Sequence, residues 1–270
     1  MKKIGFIGAG NMGGALVLAA CKTKNEYEIL VADKFPEKVL ELTKKTNGRA
    51  KESSALEISE KCDMIFLGVK PNFIESTLNE IMPALEKRDE KPTLVSMAAG
   101  VKIAKIAGVT NKICPVIRIM PNTPVSLGEG MILYDICPVV TEEIENLFLD
   151  VLSFAGKLDK LSEELIDAGC ALSGCGPAFV FMFIDALAKG AENCGLSREK
   201  AIAYAVQTVV GSAKLLGSSD KTPSELRDAV CSPGGSTIEG VRTLNERDFD
   251  GIVQSAIKAS FEKTKLLGKQ

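Results

Sequence analysis

KIGFIGAGNMGGAL, residues 3–16, joins a short apolar run to a glycine-rich turn and then to the start of a helix. The run is nearly continuous in apolar residues, as strands covered on both faces tend to be. Gly8 permits a tight bend, Gly10 lets a bulky anion approach the backbone, and Gly13 allows close packing of helix on strand. The helix start then offers free N–H groups and the positive end of its dipole to phosphates. A glycine turn alone is a weak signal. Here the strand before it, the helix after it and an acid downstream all fall in place. Ile7, Gly8, Ala9, Gly10, Asn11, Met12 and Gly13 are therefore the first expected contacts of a dinucleotide cofactor.

Working outward, EILVAD (28–33), DMIFLGV (63–69), TLVSMA (93–98) and ICPVIRIM (113–120) read as further strands. Helical patterns such as PEKVLELTKK (36–45) and NFIESTLNEIMPALE (72–86) lie between them. This alternation predicts an α/β Rossmann-type, doubly wound parallel sheet over residues 1–161. Asp33 ends the second strand, where an acid holds the adenosine ribose hydroxyls and repels a 2′-phosphate. Lys34 follows at once and would neutralise that phosphate or simply be solvated, so NADH and NADPH both stay open. Ligands of such sheets sit outside the carboxyl ends of the strands. The strand ends Val69-Lys70-Pro71 and Ala98-Ala99-Gly100 suit a flat nicotinamide ring, although Lys70 also reads as an ordinary strand-end lysine. RIMPNTP (118–124) gives a rigid turn with Asn122 and Thr123 as polar contacts; such turns are more often structural than catalytic.

After Leu161 the strand signals stop, and residues 162–270 read as an all-α domain. The stretch 163–195 is helical, interrupted around Ser173–Gly176, with Pro177 at a favoured first-turn position. From Ala178 to Ala188 it is apolar almost all round, which demands burial on every side. A homodimer through these helices is the natural reading, with a higher oligomer of dimers left open; a monomer with an unusually apolar core is the alternative. Thr222-Pro223-Ser224-Glu225 has the capping-box pattern, and Ser236 to Glu239 repeats its spacing. Between the two helices so marked, Ser232, Pro233, Gly234, Gly235, Ser236 and Thr237 gather hydroxyls and backbone N–H groups into an anion site suited to a carboxylate or phosphate. A well-capped helix–turn–helix without a ligand has the same spacing.

Composition narrows the chemistry. The chain of 270 residues is 46% apolar and 25% charged, with a net charge of −2, which argues against nucleic acid. It has no histidine, which excludes Ser-His-Asp and Cys-His catalysis and His-based zinc sites. No metal site is expected. Eight cysteines without a CxxC read as buried thiols in a reducing cytoplasm. No run approaches the ~18 continuous apolar residues of a membrane span, and the N-terminus lacks a signal-peptide cleavage site.

GFIGAGNMGGAL, VKP, RIMPNTP, LSGCGPAF and above all LRDAVCSPGGSTIEG closely resemble the pyrroline-5-carboxylate reductase family, in order from Lys3 to about Leu267. The resemblance implies a Rossmann domain and a helical dimerisation domain, and reduction of 1-pyrroline-5-carboxylate to L-proline by hydride from NADH or NADPH, the last step of proline biosynthesis. It implies an active site where one subunit's cofactor domain meets the C-terminal helices of its partner. Ser232 to Thr237 would cradle the substrate carboxylate, with Thr237 near the ring nitrogen as the catalytic residue, while Val69–Pro71 and Ala98–Gly100 border the nicotinamide. Cys175 and Cys231 stand where many relatives carry Ser or Thr, Phe179 where Tyr is common, and Ala55 where Asn is frequent. A β-hydroxyacid dehydrogenase would want a lysine on the helical domain, and Ala178–Ala188 has none. A dinucleotide-sensing regulatory protein is the alternative outside catalysis.

Overall fold

The structure is a computed structural model, and residues 1–267 are described. Its first part alternates β1 (Lys3–Ile7), α1 (Asn11–Ala20), β2 (Glu28–Ala32), α2 (Pro36–Lys45), β3 (Ala50–Glu52), α3 (Ala55–Lys61) and β4 (Met64–Leu67). There follow α4 (Ile74–Lys87), β5 (Thr93–Ser96), α5 (Ile103–Val109), β6 (Val116–Met120), β7 (Gly130–Ile136), α6 (Glu142–Val151) and β8 (Gly156–Lys160). The eight strands form one sheet in the order β3-β2-β1-β4-β5-β6-β7-β8. The first six are the parallel, doubly wound arrangement expected. β7 runs antiparallel to β6, and β8 pairs with it in parallel, so the sheet is not parallel throughout.

The five strands read from sequence are buried because helices cover both faces. Ile4, Phe6 and Val31 join one core cluster, while Ile7, Leu30 and Ile65 join the other. Phe6 and Phe66, opposite each other in the register of β1 and β4, stack with centroids 4.6 Å apart. β3 and β8 escape a hydrophobic reading: three residues in one, alternate polar residues on an exposed edge in the other.

Beyond β8 come α7 (Glu163–Gly169), a π turn at Cys170–Gly174, α8 (Gly176–Asn193), α9 (Arg198–Gly217), α10 (Pro223–Ala229), α11 (Ser236–Glu246) and α12 (Phe249–Leu267). The chain forms two compact units: Met1–Cys175 with the residues from Ser260 onward, and Gly176–Ala259. That cut lies past the division at Leu161, and Arg118 supplies the physical reason. Its side chain on β6 is 1% exposed and reaches Glu163 at 3.3 Å and Asp167 at 2.9 Å, both on α7. Glu163 also accepts the Ile103 N–H at 2.7 Å, and its own N–H donates to Asp135 at 2.6 Å. α7 is thereby tied to the sheet.

In the second unit, Ala188, Ala201 and Ala205 let α8 and α9 approach closely. Asp185 binds Lys189 at 2.7 Å and Arg198 at 2.5 Å. Burial of α8 on every side does not occur within the chain: Ala188 is its one buried residue, and Phe181 and Met182 are 64% and 72% exposed. By length and composition the helical run Glu163–Asn193 is apolar enough to cross a membrane, although no such run was expected. Its first two turns, however, are those that Arg118 holds to the sheet. The cysteines also depart from expectation. Cys21, Cys62, Cys114 and Cys170 are buried, but Cys194 is exposed and Cys137, Cys175 and Cys231 are half-buried. All eight are free thiols. Burial pushes Cys62 up to about 12, and Cys21 and Cys114 to about 11, which makes those three poor nucleophiles.

Candidate active site

The strand order reverses between β1 and β4, and the glycine turn lies at that switch point. Gly8, at φ +107°, turns the chain out of β1 while its N–H donates to Ala32 at 2.8 Å. A Cβ on Gly8 would lie 2.6 Å from the carbonyl of Gly68, and one on Gly68 would lie 2.6 Å from the Gly8 oxygen. Gly68 was not among the expected site residues, yet it is the mate that lets the β1 and β4 ends touch. A Cβ on Gly13 would meet the Gly8 oxygen at 2.1 Å, so the α1 backbone rests directly on the turn. Gly10 has nothing within 4 Å of a built Cβ: its side of the turn is open.

Gly10 is also the N-cap of α1, without a side-chain cap and with no acid in the first turn. The N–H groups of Asn11, Met12 and Gly13 therefore start the helix without intrahelical partners, beside the open face. Ile7 and Ala9 bury their side chains, so these two present backbone. This is chemistry for a pyrophosphate.

The other expected cofactor residues surround the same sheet edge. Asp33 directs one oxygen to the Ala9 N–H at 2.6 Å and the other to the Phe35 N–H at 2.9 Å. Lys34 is exposed, with its ammonium 4.9 Å from the centroid of the Phe73 ring. Val69 is half-buried and Lys70 and Pro71 are exposed, opening a short 3-10 turn at Pro71–Phe73. Ala98 and Gly100 are buried, the latter at φ +74°, which leaves Ala99 as the partly open member of that strand end. A cavity of about 350 Å³ adjoins Gly10 and Asn11, walled by Lys38, Glu41 and Lys45 of α2. It lies between α1 and α2 and does not include Gly8, Asp33 or Val69, so it is not the crevice at the switch point.

Asn122 serves the fold. Its side-chain N–H donates to the Ser173 carbonyl at 2.9 Å, and its oxygen accepts the Met131 N–H at 2.9 Å. It braces the π turn against β7. Thr123 is exposed at the start of the 3-10 turn Thr123–Leu127.

The second unit holds the joint Cys231–Gly235. The Thr222 capping box forms as read, with both reciprocal bonds, and α10 follows it. The second box does not form. Gly235 is the N-cap of α11, Ser236 is already helical, and no side chain caps that end. Glu239, which the box would turn back toward the helix start, instead pairs with Arg242. The first-turn N–H groups from Ser236 to Ile238 are thus left for another acceptor. Gly234 takes φ +72°, and the Gly235 N–H donates to the Ser232 carbonyl at 3.0 Å. A Cβ on Gly235 would strike the Ser232 hydroxyl at 2.4 Å. Ser232, Pro233, Gly234, Ser236 and Thr237 are exposed. Two hydroxyl-bearing residues at an uncapped helix N-terminus, with a third at Ser232, make a cradle for a small anion. The Cys231 N–H donates to the Asp228 carbonyl at 3.1 Å and the Cys175 N–H to the Cys170 carbonyl at 3.0 Å, local bonds that close the ends of their helical turns.

A family model for pyrroline-5-carboxylate reductase dimerisation matches residues 163–267, and one for NADP oxidoreductase, coenzyme F420-dependent, matches residues 3–100. The chain is 38% identical to pyrroline-5-carboxylate reductase of Escherichia coli, over 99% of each sequence. It is 37% identical to that of Aquifex aeolicus, over 98% of this chain and 97% of the other. Among solved structures, pyrroline carboxylate reductase of Plasmodium falciparum, with NADP bound, superposes with a TM-score of 0.85 at 30% identity, covering 99% of this chain and 100% of that one. Both the part that carries the glycine turn and the part that carries the uncapped joint at Gly235 are matched along their length: the chain is a member of the pyrroline-5-carboxylate reductase family.

Proposed function

We propose that the protein reduces 1-pyrroline-5-carboxylate to L-proline, using NADH or NADPH. The observation that carries this reading is the joint at Gly235, where the expected capping box is replaced by open N–H groups and free hydroxyls. The first unit would hold the dinucleotide at the Gly8–Gly13 turn, and the nicotinamide when bound supplies the hydride for the C=N carbon. Ser236, Thr237 and Ile238 hold the substrate carboxylate through backbone N–H groups, and the Ser232 hydroxyl stands beside them. Thr237 orients the ring nitrogen through its hydroxyl. A hydroxyl is too weak an acid to be the principal proton source at neutral pH. A cyclic imine that binds already protonated removes that need, which suits a chain without histidine. Catalysis is then chiefly orientation and electrostatics.

The exposed apolar side chains of α8 support a homodimer through the C-terminal helices, with residues 1–161 as the cofactor domain and 162–270 as the dimerisation and substrate domain. Assembly of dimers into a higher oligomer would follow the same logic. Eight free thiols fit a reducing cytoplasm. The test is cofactor oxidation by purified protein with and without the imine. Oxidation that depends on the imine supports the reading; cofactor binding with no turnover favours the dinucleotide sensor.

A further inference from the structure

Resting on the cofactor reading above, we propose that Asp33 makes this enzyme prefer NADH to NADPH. Asp33 stands just beyond β2, where the adenosine ribose of a bound dinucleotide lies in this sheet topology. Its two oxygens are held from two sides, by the Ala9 N–H at 2.6 Å and the Phe35 N–H at 2.9 Å. Those bonds fix the carboxylate in place and occupy the two backbone donors beside it.

The Ser53 donors on this edge are committed as well. The Ser53 N–H goes to the Val31 carbonyl at 2.9 Å, which sets the end of β3 beside β2. The Ser53 hydroxyl donates to Glu57 at 2.7 Å, and Glu57 in turn binds Lys61 at 2.7 Å. Ser54 caps α3 by accepting the Glu57 N–H at 3.1 Å. Ala55 has no polar atom to offer. Lys34 and Lys38 stand over the rings of Phe73 and Phe35, at 4.9 and 4.6 Å from the centroids. Besides those two ammonium groups, the edge retains acceptor capacity on Asp33, since each carboxylate oxygen keeps a further lone-pair site. Ribose hydroxyls can donate to it, whereas a 2′-phosphate would meet a carboxylate that cannot turn away.

A juxtaposed like charge predicts kcat/KM at least about tenfold higher with NADH than with NADPH in the wild-type protein. Asp33→Asn and Asp33→Ser should each move that ratio toward NADPH by about tenfold. Either substitution also removes a bond to the glycine turn, so a second measurement uses the unaltered protein. Calorimetric titration should show ADP-ribose binding more tightly than its 2′-phosphate derivative. Equal or tighter binding of the 2′-phosphate derivative, a wild-type preference for NADPH, or a ratio unmoved by both substitutions would overturn the proposal. If ADP-ribose binds more tightly but neither reduced cofactor is oxidised with the imine, the reductase reading falls and the role of Asp33 stands.

Discussion

The α-carbon of Gly13 faces the carbonyl oxygen of Gly8 so closely that a side-chain carbon there would lie 2.1 Å from it. Neither partner is a flexible side-chain end: one is helix backbone and the other is turn backbone. Gly13→Ala must therefore push α1 away from the turn. The expected loss is about 1–3 kcal/mol of stability, with weaker NADH binding in the same variant. Urea unfolding and a fluorescence titration with NADH check both; wild-type values in the two together would contradict this packing.

Arg118 should be the most costly polar truncation near the sheet. Its guanidinium is buried between Glu163 and Asp167, and its Nε has no hydrogen-bond partner. Arg118→Ala leaves two partly buried carboxylates uncompensated, which costs about 3 kcal/mol. A urea midpoint close to wild type would show that α7 is held by packing alone.

At the joint, Gly235→Ala places a carbon against the Ser232 hydroxyl and disturbs the helix start. The imine KM should rise about tenfold while NADH affinity stays put, because only ground-state binding of the substrate is lost. Thr237→Val should lower kcat/KM by a further order of magnitude, about tenfold, with Thr237→Ser restoring most of it. Steady-state kinetics separates these outcomes; full kcat/KM in Thr237→Val would remove that hydroxyl from the mechanism.

Three of the carboxylates held low by their partners illustrate the acid limb of stability. Lys51 and Lys3 hold Glu28 below the usual carboxylate range, Lys189 and Arg198 do the same for Asp185, and the Thr222 N–H and hydroxyl for Glu225. Each folded-state value lies below the unfolded one, so the unfolded chain binds more protons in acid. Stability contributed by these groups is complete above the ordinary carboxylate range and is lost as pH falls through that range and below it. Urea midpoints measured down the acid limb should decline; a flat or rising series would contradict the assignment.

Phe181, 64% exposed on α8, tests the dimer. Phe181→Glu should convert an oligomer to monomer in sedimentation velocity, because a charge in an apolar interface is left unpaired. An unchanged oligomer would place the interface elsewhere.

Much of this was legible in the sequence. PEKVLELTKK and REKAIAYAVQTVVGSAKLLG mark α2 and α9 to the residue, since capping and periodicity are local signals. Thr222 announced its capping box for the same reason. Long-range partners decided the rest. Nothing near Asp33 in the chain says that one of its oxygens meets Ala9, and nothing near Asn122 shows that it braces Ser173 and Met131. Ser236 shares its spacing with a capping box, yet the Gly234-Gly235 backbone moves the cap one residue back. A glycine directly after β4 was the available clue to Gly68.

The most direct measurement follows the hydride itself. The protein is given 1-pyrroline-5-carboxylate and NADH deuterated at the transferable C4 position, and the product is examined by mass spectrometry and NMR. Imine reduction by direct hydride transfer from the cofactor predicts L-proline carrying one deuterium on the ring carbon that was double-bonded to nitrogen. Cofactor oxidation without deuterium in proline, or no oxidation by folded protein that binds NADH, would contradict it.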